Sequence, residues 1–81
     1  YAEVEIGSRK IAATHFPFYA RALAEKNTYD AVFYGHSHVS QIEQVDSTLC
    51  ANPGEIMGFK GLASCGVYDS ETNTIEIITL N

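Results

Sequence analysis

The chain has little that would tie it to a membrane, a nucleic acid or an oxidising compartment. No apolar run approaches the roughly 20 residues that cross a bilayer. Five basic residues stand against ten acidic ones, a net charge of −5. That balance argues against a surface for nucleic acid or for an anionic membrane. It leaves phosphate substrates open, because bound cations would dominate the field around them. There are two cysteines, Cys50 and Cys65, with no Cys-x-x-Cys spacing. They read as reduced, buried small hydrophobes, and a disulfide is weakly supported. No secretory leader pattern, repeat, linker or low-complexity stretch is visible in these residues. The expectation is a cytoplasmic protein with no membrane partner and no nucleic-acid-binding surface.

What is present is a globular composition, 46% hydrophobic and 19% charged over 81 residues. Residues 1–81 are expected to form a single domain or part of one. A chain this short buries only about 60–65% of its unfolded surface, which leaves it marginal without a partner. It opens Tyr1-Ala2-Glu3-Val4-Glu5-Ile6, without methionine and already in a predicted strand, and reads as a piece of something longer.

Ala2 to Ile6 alternates polar and apolar residues, as a half-buried strand does. Gly7-Ser8 supplies a tight turn, and Arg9 to Thr14 continues as a second strand. Pro17 suits the first turn of a helix. Tyr19, Ala22 and Leu23 are expected on its inner face, Arg21, Glu25 and Lys26 on its outer one, and Asn27-Thr28 at its end. Ala31 to Tyr34 is apolar throughout, the pattern of a buried strand, plausibly a parallel one. Val39 to Val45 and Thr48 to Ala51 form a hairpin across Asp46-Ser47, followed by the strong turn Asn52-Pro53-Gly54. Gly58 and Gly61 mark an irregular loop, and Leu62 to Tyr68 pairs with Thr74 to Leu80 in a last hairpin. The expected fold is α/β, of the α+β layered kind, mostly β with one helix.

Three histidines sit at or just past strand ends: His15, His36 and His38. In an extended segment, His36 and His38 would point to one face with Cα atoms roughly 6.5 Å apart. They could chelate one ion or each hold one of two ions. Gly35 before them would let the chain turn sharply and approach metal and substrate. Taken alone, His15 fits a hydrogen-bonded structural role as well as a ligand's. The joint pattern of strand, Gly-His-x-His and a second strand-terminal histidine points to a metal site.

Several other residues read as structural. Asp30 precedes a strand and suits a turn or cap. Glu55 is expected in solvent. Tyr19, Tyr29 and Tyr34 are expected in the core or at its edge. Phe16 and Phe18 flank Pro17 and are expected to pack the helix, with a cover over the metal pocket as the other reading. Cys65, within a strand, is expected to be inert.

Thr14-His15, the helix after it, Tyr29 to His38 with its Gly35-His36-Ser37-His38 box, and Asn52-Pro53-Gly54-Glu55 occur in this order over nearly the whole chain. The set resembles the C-terminal half of a calcineurin-like metallophosphoesterase, in its small bacterial and archaeal phosphodiesterase branch. The resemblance implies the C-terminal half of a β-sandwich flanked by helices. It implies that His15 and His36 bind one ion of a dinuclear pair and His38 the other, the ions being Mn, Fe, Ni or Zn. A hydroxide bridging them would attack the phosphorus of a small phosphate-ester substrate, with no catalytic side chain beyond the ligands. It also places Asn52 and Gly54, with Gly35 and Phe16, near the cleft. One departure is Phe16, where relatives often have glycine, which bears on substrate access. The family's upstream Asp-x-His, Gly-Asp and Gly-Asn-His-Asp motifs are absent here. The chain is therefore expected to be the C-terminal portion of an enzyme, inactive alone, and completed by a missing N-terminal half or by self-association. The alternatives are a non-catalytic protein-binding scaffold of the same fold and a mononuclear zinc module using the three histidines.

Overall fold

The computed structural model describes residues 1–36, 39–54 and 63–80. Seven strands and one helix follow in order: β1 (Ala2–Ile6), β2 (Arg9–Ala13), α1 (Pro17–Glu25), β3 (Ala31–Phe33), β4 (Gln41–Val45), β5 (Thr48–Asn52), β6 (Ser64–Asp69) and β7 (Thr74–Thr79). The first five strands form a mixed sheet in the order β1-β2-β3-β5-β4, and β6 and β7 pair as a separate hairpin. The chain is mostly strand with one helix, the layered α/β arrangement expected. The readings on His38, Glu55, Gly58, Gly61 and Leu62 lie outside the described residues.

Three strands, β2, β3 and β5, run parallel, with Ile11, Ala31 and Leu49 in register, then Ala12, Val32 and Cys50. Side chains alternate faces along a strand, so these two rows face opposite ways. Ala12, Val32 and Cys50 meet Ala20, Leu23 and Ala24 of α1. Ile11, Ala31 and Leu49 meet Phe33, Tyr68 and Ile75, the last two from the β6–β7 hairpin. Burial on both faces explains why Ala31-Val32-Phe33 is apolar without alternation. Each fully buried Val or Leu removed from water contributes about 1.5–3 kcal/mol.

Pro17 occupies the first turn of α1, where its missing N–H costs nothing. The helix presents Ala20, Leu23 and Ala24 to the sheet, at i, i+3 and i+4. Tyr19 and Ala22 were expected there and are exposed instead. Two alanines let this nine-residue helix approach the strands closely. Tyr19 turns outward and meets Tyr1 edge-on, ring centroids 5.6 Å apart. The outer face follows expectation, with an Arg21–Glu25 ion pair at 3.3 Å. Asn27, at φ +58°, takes the left-handed conformation that stops helices. Gly7, at φ +62°, turns the β1–β2 hairpin, where a glycine relieves the steric conflict. Tyr29 is buried and Tyr34 packs at the core's edge. Both cysteines are free; Cys50 is buried and Cys65 is half-buried, less enclosed than expected.

Candidate functional site

The parallel pairing does not stop where the strands end. Thr14 N donates to Phe33 O at 3.0 Å, Gly35 N to His15 O at 3.1 Å, and Tyr34 N to Ala51 O at 3.0 Å. These bonds carry the register past the carboxyl ends of β2, β3 and β5, so the segments bearing His15, His36 and Asn52 stay side by side. Carboxyl ends of parallel strands are where open α/β sheets form binding crevices.

His15 and His36, 21 residues apart in sequence, meet at this rim. Both are exposed. Their rings stand nearly perpendicular, centroids 5.2 Å apart, and His15 Nε2 faces His36 Nδ1 at 3.4 Å. That separation is longer than an ordinary N–H hydrogen bond of about 2.7–3.2 Å. Two imidazole nitrogens sharing one tetrahedral ion, each about 2.0–2.1 Å from it, stand about 3.3–3.4 Å apart. The 3.4 Å between His15 Nε2 and His36 Nδ1 falls at that spacing. Among the described residues, no third histidine, cysteine or carboxylate joins it. His38 lies outside them.

His36 has φ +73°. Left-handed backbone is uncommon for a side chain bearing a Cβ and costs on the order of 1–3 kcal/mol. The expectation that Gly35 makes the sharp turn is corrected here. Gly35 has no positive φ, and a Cβ on it would meet His15 only at 3.9 Å, ordinary contact. The turn falls on His36 itself, so the extended geometry expected for His36 and His38 does not hold at His36.

Asn52 explains how this turn is held. It is fully buried at the end of β5. Its Nδ2 donates to Gly35 O at 3.2 Å, and its Oδ1 accepts from Gly54 N at 2.9 Å. One side chain therefore ties the backbone ahead of His36 to the Asn52-Pro53-Gly54 turn. The second bond is an Asx turn, legible in the sequence as Asn-Pro-Gly; the first requires β3 and β5 to be neighbours. Gly54 sits at φ +86°, and a Cβ there would collide with Ser64 Oγ, which itself donates to Pro53 O at 2.9 Å. Ser64 gave no signal in the sequence as a neighbour of this turn.

Phe16 and Phe18 depart from the helix-packing expectation. Phe18 is 89% exposed and Phe16 is 53% exposed. The Phe16 ring lies against the histidines, centroids 4.7 Å from His15 and 5.0 Å from His36. Beside this rim, a cleft of about 320 Å³ opens between the sheet and the β6–β7 hairpin, lined by Phe33, Pro53, Gly54 and Ile75 among others.

Residues 1–73 match the calcineurin-like phosphoesterase superfamily domain. The chain belongs to this family. It is 34% identical over 83 residues to a phosphodiesterase of Methanocaldococcus jannaschii, a match that covers 99% of this chain and 50% of the relative. The solved structure of an archaeal phosphodiesterase superposes with a TM-score of 0.83 at 36% identity, over 98% of this chain and 50% of that one. Two more distant structures share the fold alone. A hypothetical protein of Pyrococcus horikoshii has a TM-score of 0.75 at 15% identity, over 99% of this chain and 39% of that one. Vps29 of Entamoeba histolytica has a TM-score of 0.70 at 16% identity, over 99% of this chain and 60% of that one. The chain spans about half the length of the phosphodiesterase relatives it matches. No helix among the described residues is long and apolar enough to cross a membrane.

Proposed function

We propose that this chain supplies the histidine ligands of a metal-dependent phosphoesterase, and that residues 1–81 are the C-terminal portion of its catalytic domain. The observation that carries the reading is the facing pair, His15 Nε2 and His36 Nδ1, 3.4 Å apart at the carboxyl rim of the parallel strands. Membership of the calcineurin-like family and the likeness to a phosphodiesterase support it. A scaffold that only bound protein would have no evident use for two exposed imidazoles whose nitrogens face each other at this rim.

In this reading His15 and His36 hold one divalent ion and His38 a second. Imidazole with carboxylate suits Mn, Fe, Ni or Zn. When bound, such ions acidify water and draw charge from a phosphoryl oxygen. Any carboxylate ligands would come from residues outside these 81, since the chain has no Asp-x-His or Gly-Asn-His-Asp motif. The chain's own part is to hold and orient: His15 and His36 present ring nitrogens, and Asn52 fixes the backbone ahead of His36. The substrate class is a phosphate ester, and the products are a phosphate or phosphomonoester and an alcohol.

The full protein is expected to hold two ions per chain by elemental analysis and to hydrolyse bis-p-nitrophenyl phosphate with Mn²⁺ added. Residues 1–81 alone should bind metal weakly and turn over nothing. Two fully bound ions on these residues alone would contradict the assignment.

A further inference from the structure

We propose that the Phe16 ring is a shelf for a planar aromatic group, so that the esters taken at this rim carry an aryl ring or a nucleobase near the phosphate. The inference rests on the phosphoesterase reading above and names its substrate class.

The usual reasons for a phenylalanine do not apply at this position. Phe16 precedes α1 with φ −100° and ψ 133°, extended backbone that any residue adopts, and it makes no side-chain cap. The helix buries Ala20, Leu23 and Ala24 instead. Phe16 is 53% exposed within these 81 residues, so they leave about half its surface uncovered. Its close aromatic neighbours are the two imidazoles, with centroids at 4.7 and 5.0 Å. Single exposed apolar side chains are ordinary on a surface. One pressed against two exposed imidazoles whose nitrogens face each other is placed where a ligand of that pair would be.

The distances set what it would meet. A phosphate drawn to a cation held by the imidazole pair would carry its ester substituent beside the Phe16 ring, whose centroid lies 4.7 and 5.0 Å from the two imidazoles. An aromatic substituent can stack or meet the ring edge-on at the 4.5–7 Å spacing that such pairs prefer. Stacking tolerates any base or aryl ring, because each has a π-face. An alkyl substituent has no such face, and inorganic phosphate has no substituent to place. The ring would thus discriminate between esters without contributing to phosphate binding.

Calorimetry on the full protein with Mn²⁺ tests this, using inorganic phosphate, methyl phosphate, phenyl phosphate and adenosine 5′-monophosphate. The wild type should bind an aromatic ester at least about tenfold tighter than methyl phosphate. Phe16→Leu should lose that margin, and Phe16→Tyr should keep it. Inorganic phosphate should bind all three alike. Preference for phenyl phosphate would mark an aryl ester as the source, and preference for the nucleotide a nucleoside ester. Equal binding of methyl and aromatic esters by the wild type, or a margin that survives in Phe16→Leu, would overturn the shelf while leaving the phosphoesterase reading intact. If inorganic phosphate failed to bind the wild type, the phosphoesterase reading would fall and the shelf with it.

Discussion

The two ends of the parallel strands both carry polar side chains and use them differently. At the amino end, polar groups are consumed in bonds to one another. Asp30 accepts from Lys10 N at 2.8 Å and pairs with Arg9 at 3.4 Å. Arg9 Nε donates to Ser70 O at 2.7 Å, and Asn73 Nδ2 donates to Asp30 O at 2.9 Å. These bonds fasten the β6–β7 hairpin to the sheet. At the carboxyl end the imidazoles of His15 and His36 are exposed and face each other, and one of them sits on left-handed backbone. A rim whose donors and acceptors are mutually satisfied holds the fold together. The other rim leaves two ring nitrogens exposed and facing each other, one of them on left-handed backbone, which is where a binding role is proposed.

Substitutions can break this contrast. The largest effect is expected from His36→Ala, which should lower phosphodiester turnover of the full protein at least ~100-fold. Its side chain is exposed but its backbone is left-handed, which alanine tolerates no better, so stability should fall by about 1 kcal/mol or less. Rates measured beside denaturant titrations check this, and wild-type turnover would remove the metal role. Asn52→Ala should act on both properties. Losing the bonds to Gly35 O and Gly54 N should cost about 1–3 kcal/mol. Turnover should fall about tenfold or more at temperatures where the variant is folded, because His36 loses its anchor.

Asp30→Ala sharpens the other side. It should cost about 1–2 kcal/mol by urea titration and leave kcat unchanged where folded. A loss of turnover there would mean that the two rims are not independent.

The smallest effect concerns pH. The Tyr29 hydroxyl donates to Glu3, and that bond to a carboxylate pushes the phenol's pKa above its ordinary 10.0. A raised pKa in the folded state means the bond's contribution is whole below about pH 10 and is lost as pH climbs through the raised value. Tyr29→Phe should therefore flatten the alkaline fall in stability, seen in melting curves taken from pH 9 upward.

Much of this fold could be read from local chemistry. The alternation in Ala2–Ile6, the turn at Gly7-Ser8, Pro17 opening a helix and the unbroken apolar run at Ala31 each act within a few residues, so the sequence carries them directly. The helix face was misjudged at Tyr19 and Ala22, because which stripe faces inward depends on how close the strands come. Alanines allow the closer approach. The position of the sharp turn was misjudged at Gly35 for a similar reason. A glycine permits left-handed backbone but does not compel it, and the bonds from Asn52 to Gly35 O and from Gly35 N to His15 O place the turn one residue later.

The sequence by itself determined the strand and helix segments, the family pattern, and which residue types could hold a cation, because periodicity, turn chemistry and side-chain donors are properties of short stretches. Only the tertiary structure decided that His15 and His36 face each other, that Phe16 lies on them instead of packing the helix, and that Asn52 braces the backbone at Gly35. Those facts depend on β2, β3 and β5 lying side by side in parallel register, and contacts between segments 17 to 21 residues apart are fixed by packing and hydrogen-bond register across strands rather than by any local preference.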